Sequence, residues 1–198
     1  MVEQLAQEYA DQPVVFLEYD VDDDSAREWR WWQAFGGGTV ILPMVMVDSG
    51  NQISNGYEDF YTKYTAMVDA SLERDAQAEI IASGQRSDDT LHFEIQITNQ
   101  SDIALGPSNG ATVWAIVYEK FETSGSGRLT NRFVRAAVSV AIPSDLAPDA
   151  TETFTLDTPV LSGVNWDNLH VILLADYRPG GTSGAYDTLQ AVSVPTIP

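Results

Sequence analysis

Three stretches hold residue types that could do chemistry, and each is tested by its spacing. In "YDVDDDSARE", Asp20, Asp22 and Asp24 occupy alternating positions, as in a calcium-binding loop. The register then fails, because Ser25 stands at the sixth loop position in place of glycine and Trp31 at the twelfth in place of a bidentate glutamate. These acids read instead as the start of a helix, where Asp24 or Ser25 caps and the carboxylates favour the positive end of the dipole. The imidazoles are His92 and His170. One lies on the polar phase of "LHFEIQI" and the other precedes a buried run, so they do not give the convergent ligands that a metal site needs. The glycines at 36 to 38 follow a helix, whereas phosphate cradles follow a strand. The serines include no Gly-x-Ser-x-Gly elbow. Carboxylates are numerous, but spacing alone does not show two of them facing across a cleft. With no cysteine, thiol chemistry and zinc-thiolate sites are excluded. No catalytic residue, metal or cofactor is therefore assigned.

Aromatic density is the remaining chemical signal. "REWRWWQAF" concentrates Trp29, Trp31, Trp32 and Phe35 in one short helix. Trp29 and Trp32 share one face while Trp31 and Phe35 share another, so a two-layer domain does not bury both faces equally. The expectation is that at least one ring is exposed, with Trp31 a candidate platform for a peptide or partner. The competing reading is packing against a sheet or a neighbouring domain.

The elements that position these residues change character along the chain. The 198 residues, 44% hydrophobic, are enough for two modest cores. A formal charge of -19 repels phosphate backbones and anionic bilayers, which excludes nucleic acid as a partner. The longest apolar runs are too short to cross a bilayer, and the first residues do not read as a signal peptide. Residues 1–75 alternate helix and strand patterns. These are a helical stripe in "VEQLAQEYADQ", a buried-strand run in "PVVFLEYDV", a helix from Ser25 stopped by "FGGG", strands "MVMVD" and "QISNG", and a helix from about Glu58 to Leu72. Residues 76–198 carry strand-length runs separated by turn residues, including "LHFEIQI", "TVWAIVYEK", "FVRAAVSVAI", "ETFTLDT", "LHVILLADY" and "TLQAVSV". Six or seven strands without a helix read as a β-sandwich.

Pro43 ties the first half together. It interrupts the apolar run "TVILPMVMV", so it must mark a strand's first residue, an edge or a special peptide bond. With this order of elements and Pro43 directly before "MVMVD", residues 1–72 resemble the second half of a thioredoxin fold. The resemblance implies that Pro43 is a cis-proline, that the backbone of Leu42 pairs with a bound extended peptide, and that "DSGNQI" joins the last two strands. The Cys-x-x-Cys pair and the central strand before it are missing here. The resemblance places that strand between those matching "VVFLEYDV" and "MVMVD". Its loss implies that the two strands close up, that a homodimer completes the sheet, or that the half is loose.

The fold class expected is therefore α/β plus all-β, with an incomplete thioredoxin-like α/β domain followed by an immunoglobulin-like β-sandwich. This tandem is similar to a bacterial family of extracytoplasmic, envelope-associated proteins, and the pairing of "TVWAIVYEK" with "NRFVRAAV" is the most characteristic part of the likeness. The family resemblance implies an extracytoplasmic, non-enzymatic binding or adaptor protein with a protein or peptide partner and no direct membrane insertion, using Leu42, Pro43 and Trp31. Two alternatives stay open at this level. One is the remainder of a thiol-disulfide oxidoreductase whose Cys-x-x-Cys lies upstream. The other is a carbohydrate- or surface-binding sandwich using loops near Gly125, Gly181 and Tyr186, with Trp114 and Tyr118 as an aromatic pair.

Overall fold

A computed structural model describes residues 2–19, 26–56, 59–123 and 129–195. The candidate calcium ligands Asp20, Asp22 and Asp24, the cap residue Ser25 and the loop residue Gly125 lie outside the described residues, as do the side chains of Glu28 and Trp29.

Alternating apolar residues in the second half form two antiparallel sheets. One has the order β3 (Ala78–Ser87), β4 (Thr90–Asn99), β7 (Thr151–Asp157). The other has the order β6 (Leu129–Ala141), β5 (Thr112–Thr123), β8 (Leu169–Tyr177), β9 (Asp187–Val194). Phe93, Ile95 and Ile97 of β4 form a core with Val113, Ala115 and Val117 of β5 and Leu173 and Ala175 of β8. Strand β4 alternates because one face meets this core and the other meets solvent. Strand β8 is buried continuously from Val171 to Tyr177. Its second face, with Ile172 and Leu174, joins Trp114, Ile116 and Tyr118 in a cluster covered by the first half of the chain.

Strand β3 was not among the expected runs. Its apolar phase is Ala78 and Ile80, after which Ser83, Gly84 and Gln85 give it no hydrophobic signature. Pairing with β4 along its whole length, from Ala78↔Asn99 to Ser87↔Thr90, supplies what its own side chains do not.

Ahead of the sandwich, α1 (Val2–Glu8) and α3 (Phe60–Leu72) pack over a two-stranded hairpin, β1 (Met44–Val47) and β2 (Gln52–Asn55). Asp59 caps α3 by accepting from the Thr62 amide, and the helix buries Tyr64, Met67 and Val68 as its stripe requires. Leu5 of α1 completes this cluster, with Phe16, Val45 and Val47 against it. Between them, α2 (Ala26–Phe35) ends where Gly36 and Gly37 adopt positive φ and donate to the Trp32 carbonyl. The Leu42–Pro43 peptide bond is cis.

Helices α1 and α3 are also laced by phenol–carboxylate bonds. Tyr9 donates to Asp69 at 2.6 Å and Tyr61 donates to Glu8 at 2.7 Å. The Asp69 carboxylate holds the Tyr9 phenol protonated and pushes it up to about 12. A raised pKa contributes stability below the unfolded phenol value near 10 that is lost as pH rises through about 12. Absorbance titration of tyrosinate should accordingly show one phenol ionising near pH 12, and Asp69→Asn should return it toward 10.

The run "PVVFLEYDV" departs from its expected role as a buried strand of the first half. Among its described residues, Glu18 alone forms a bridge, in parallel with Phe133 of β6. The Glu18 amide donates to the Arg132 carbonyl and its carbonyl accepts from the Val134 amide, each at 2.9 Å. No ladder joins this run to β1 among the described residues, so the two strands have not closed up. The run takes its backbone partner from β6, the outer strand of the four-stranded sheet, whose second edge is otherwise open among the described residues.

Candidate functional site

Two arginines from the helical half enter one end of the β8–β9 hairpin. Asp176, at the end of "VILLADY", is 0% exposed. Arg30 of α2 donates to both its oxygens, at 2.8 and 3.0 Å. Its other terminal nitrogen donates to the Gly110 carbonyl at 2.7 Å and the Thr112 hydroxyl at 3.1 Å. The guanidinium lies over the Tyr186 ring at 3.6 Å. Trp31 Nε1 donates to Asp176 at 2.7 Å, and its ring meets Trp114 edge-on. Burial pushes the Asp176 carboxyl up, against the pull of Arg30 and the indoles of Trp31 and Trp114. At the next pair of the hairpin, Arg74, just beyond α3, bridges Asp187 and Asp48. Ser49 and Thr188 share a hydroxyl bond of 2.8 Å nearby. These contacts bolt the halves together, with each of these charges set against an opposite one.

Trp31 is thus not an exposed platform. It is 7% exposed, with its polar atom spent on Asp176. Trp32 is also buried and donates to the Gly38 carbonyl, while Phe35 stays open. Helix α2 can bury both indoles because it meets the sandwich on one side and its own trailing loop on another.

Leu42 and Pro43 lie elsewhere, on the surface. Leu42 is 53% exposed, Ile41 43%, and Pro43 is exposed beside them. Among the described residues neither Leu42 nor Pro43 takes part in a hydrogen bond. They lead into β1, whose second edge carries no partner strand among the described residues. The structure therefore does not gather Leu42, Pro43 and Trp31 into one site: the first two form an open rim and the third a closed joint.

The remaining candidates have local roles. His92 pairs across the strands with Asp157 at 2.7 Å, and His170 stacks on Tyr118, its pKa lowered by burial. Trp114 and Tyr118 are buried under the helical half and form no exposed aromatic row. Of the loop residues, Gly181 sits in a turn, its amide bonded to the Arg178 carbonyl, and Tyr186 is buried beneath Arg30. No group of three or more His, Asp or Glu among the described residues could hold a metal ion. A cleft of about 170 Å³ by Phe133, Arg135, Val160 and Leu161 is smaller than ordinary small-molecule sites.

Sequence reasoning missed Arg30 and Asp176. The available signal was a carboxylate closing an otherwise apolar strand, because aspartate is almost never fully buried without a partner.

Neither a protein-family model nor a curated protein matches the chain. Solved structures similar to it include the Northeast Structural Genomics Consortium target SoR45, 12% identical with a TM-score of 0.34, over 62% of this chain and 89% of that one. Another is the sporulation control protein Spo0M from Bacillus subtilis, 10% identical with a TM-score of 0.38, over 61% of this chain and 49% of that one. A third is a β-glucosidase from Kluyveromyces marxianus, 17% identical with a TM-score of 0.30, over 60% of this chain and 14% of that one. Likenesses this weak carry no argument about activity.

Proposed function

We propose that this chain is a non-enzymatic binding or adaptor protein working outside the cytoplasm, with a redox-inactive, thioredoxin-like half docked on an immunoglobulin-like sandwich. The order helix, extended run, helix, Pro43, hairpin, helix supports the first element of that reading. The three-plus-four strand order, with β5 paired to β6, supports the second. The extracytoplasmic placement rests on the family resemblance alone.

The observation that carries the function is the open rim at Ile41–Pro43. Leu42 presents backbone groups without partners beside the free edge of β1, and strand addition needs only exposed amides and carbonyls, with side-chain pockets adding selectivity. An array of extended peptides, read by fluorescence anisotropy, tests this. A subset should bind saturably, and Leu42→Asp should weaken it about tenfold or more, on the order of 1.4 kcal/mol. Binding by no peptide, or binding indifferent to substitution at Leu42 and Pro43, overturns the proposal.

A further inference from the structure

Asn55, the last residue of β2, ties down the segment ahead of Pro43 with its side-chain amide. Its Nδ2 donates to the Thr39 carbonyl at 2.9 Å, and its Oδ1 accepts from the Ile41 amide at 2.7 Å. A carbonyl and the amide two residues on are the groups that a parallel neighbouring strand would bond, so this one primary amide stands in for such a strand. Farther back, Trp32 Nε1 donates to the Gly38 carbonyl at 3.3 Å. Residues 38–41 join no ladder among the described residues, and these side-chain bonds take its place.

The opposite edge of the same segment is open. In extended backbone the amide and carbonyl of one residue point to one side and those of its neighbours to the other. With Thr39 and Ile41 turned to Asn55, Val40 and Leu42 are turned away from it. Neither Val40 nor Leu42 makes a hydrogen bond among the described residues. Pro43 has no amide to donate, so the available edge ends there. The side chains alternate as well: Val40 and Leu42 share one face and Ile41 takes the other, and both Ile41 and Leu42 are exposed.

We propose that Asn55 is the positioning residue of the peptide site: it holds residues 39–42 extended and so turns Val40 and Leu42 outward as two rungs for a short segment that is apolar on both faces. This rests on the strand-addition reading above and deepens it from one residue to a register. Backbone bonds at Val40 and Leu42 supply the affinity, while Ile41 and Leu42, on opposite faces, favour apolar neighbours at adjacent peptide positions. Asn55 touches no peptide and acts through the segment it holds. Asn55→Ala removes both of its bonds. Asn55→Asp keeps an acceptor for the Ile41 amide but sets a carboxylate against the Thr39 carbonyl, two acceptors with no proton between them. Both bonds are exposed, so neither substitution should shift the denaturation midpoint.

Amide exchange and peptide titration on the full chain test this. In the free wild-type chain the Ile41 amide should exchange about tenfold more slowly than those of Val40 and Leu42, and Asn55→Ala should erase the difference. The probe is a fluorescent peptide with a Val-Ile-Val centre and a threonine at each end, read by anisotropy. On binding it should protect Val40 and Leu42 and leave Ile41 as it was. Asn55→Ala and Asn55→Asp should each weaken it about tenfold, the loss of an aligned edge rather than of a contact. Should circular dichroism show either variant misfolded, the wild-type exchange pattern decides. Unchanged affinity in both variants, with Leu42→Asp still weakening the probe, overturns the role of Asn55 and leaves the rim standing. Exchange of Ile41 as fast as Val40 in the free wild-type chain overturns the hold of Asn55 on the segment, and protection of Ile41 in place of Val40 and Leu42 on binding overturns the register. Binding by no extended peptide overturns the rim and this inference with it.

Discussion

Replacing Arg30 by methionine is expected to cost about 3–5 kcal/mol, because it strands a carboxylate that is fully buried between β8 and α2. Two hydrogen bonds to Asp176 disappear, together with those to Gly110 and Thr112. Denaturant unfolding followed by tryptophan fluorescence measures this well, since Trp31 and Trp114 sit at the joint. Arg30→Met with Asp176→Asn should regain much of the loss: the amide is uncharged and still accepts from Trp31.

The deficit has a pH signature of known sign. Burial already raises the Asp176 pKa, and removing the Arg30 cation raises it further. A carboxyl whose folded pKa lies above the unfolded one is destabilising when ionised, and the penalty fades as pH falls toward the unfolded value near 4. The Arg30→Met deficit should therefore shrink on acidification. A cost under about 1 kcal/mol at neutral pH, the range of exposed ion pairs, would show that Asp176 does not depend on this partner.

The second large effect belongs to the sandwich. Phe93 is 0% exposed among Ile95, Val113 and Leu173, so Phe93→Ala should cost about 3–5 kcal/mol through lost burial and a residual cavity. Val160, 65% exposed, is the control, with Val160→Ala expected to stay within about 0.5 kcal/mol. The two large variants should differ in kind. Phe93→Ala weakens the sheets themselves, while Arg30→Met loosens the helical half from sheets that keep their own core. Amide exchange in β4 should accelerate in the first and stay slow in the second.

Local signals in the sequence carried much of this architecture. The stripe at Tyr64, Met67 and Val68, the stop at Gly36 and the turn before Gln52 are interactions within a few residues, and each appears in the structure. The strands β4 to β9 were legible from their apolar runs. What escaped was long-range. Strand β3 is held by its neighbour rather than its own hydrophobicity, and Glu18 crosses to β6 more than a hundred positions away. The pairing of Arg30 with Asp176 spans 146 positions, with no local pattern to announce it. Trp31 illustrates the consequence: its helical face was readable, but the sandwich that covers that face was not.

The open rim at Leu42 rests on one premise, namely that among the described residues its backbone has no internal partner. Residue-resolved amide hydrogen exchange on the free chain tests it most directly. The Leu42 amide should exchange at nearly the rate of an unstructured peptide, while the amides of Val113, Val117 and Leu173, in strands paired on both sides, stay protected for far longer. Protection of Leu42 comparable to β5 in the unliganded chain would mean that the rim is already paired, and would contradict the account.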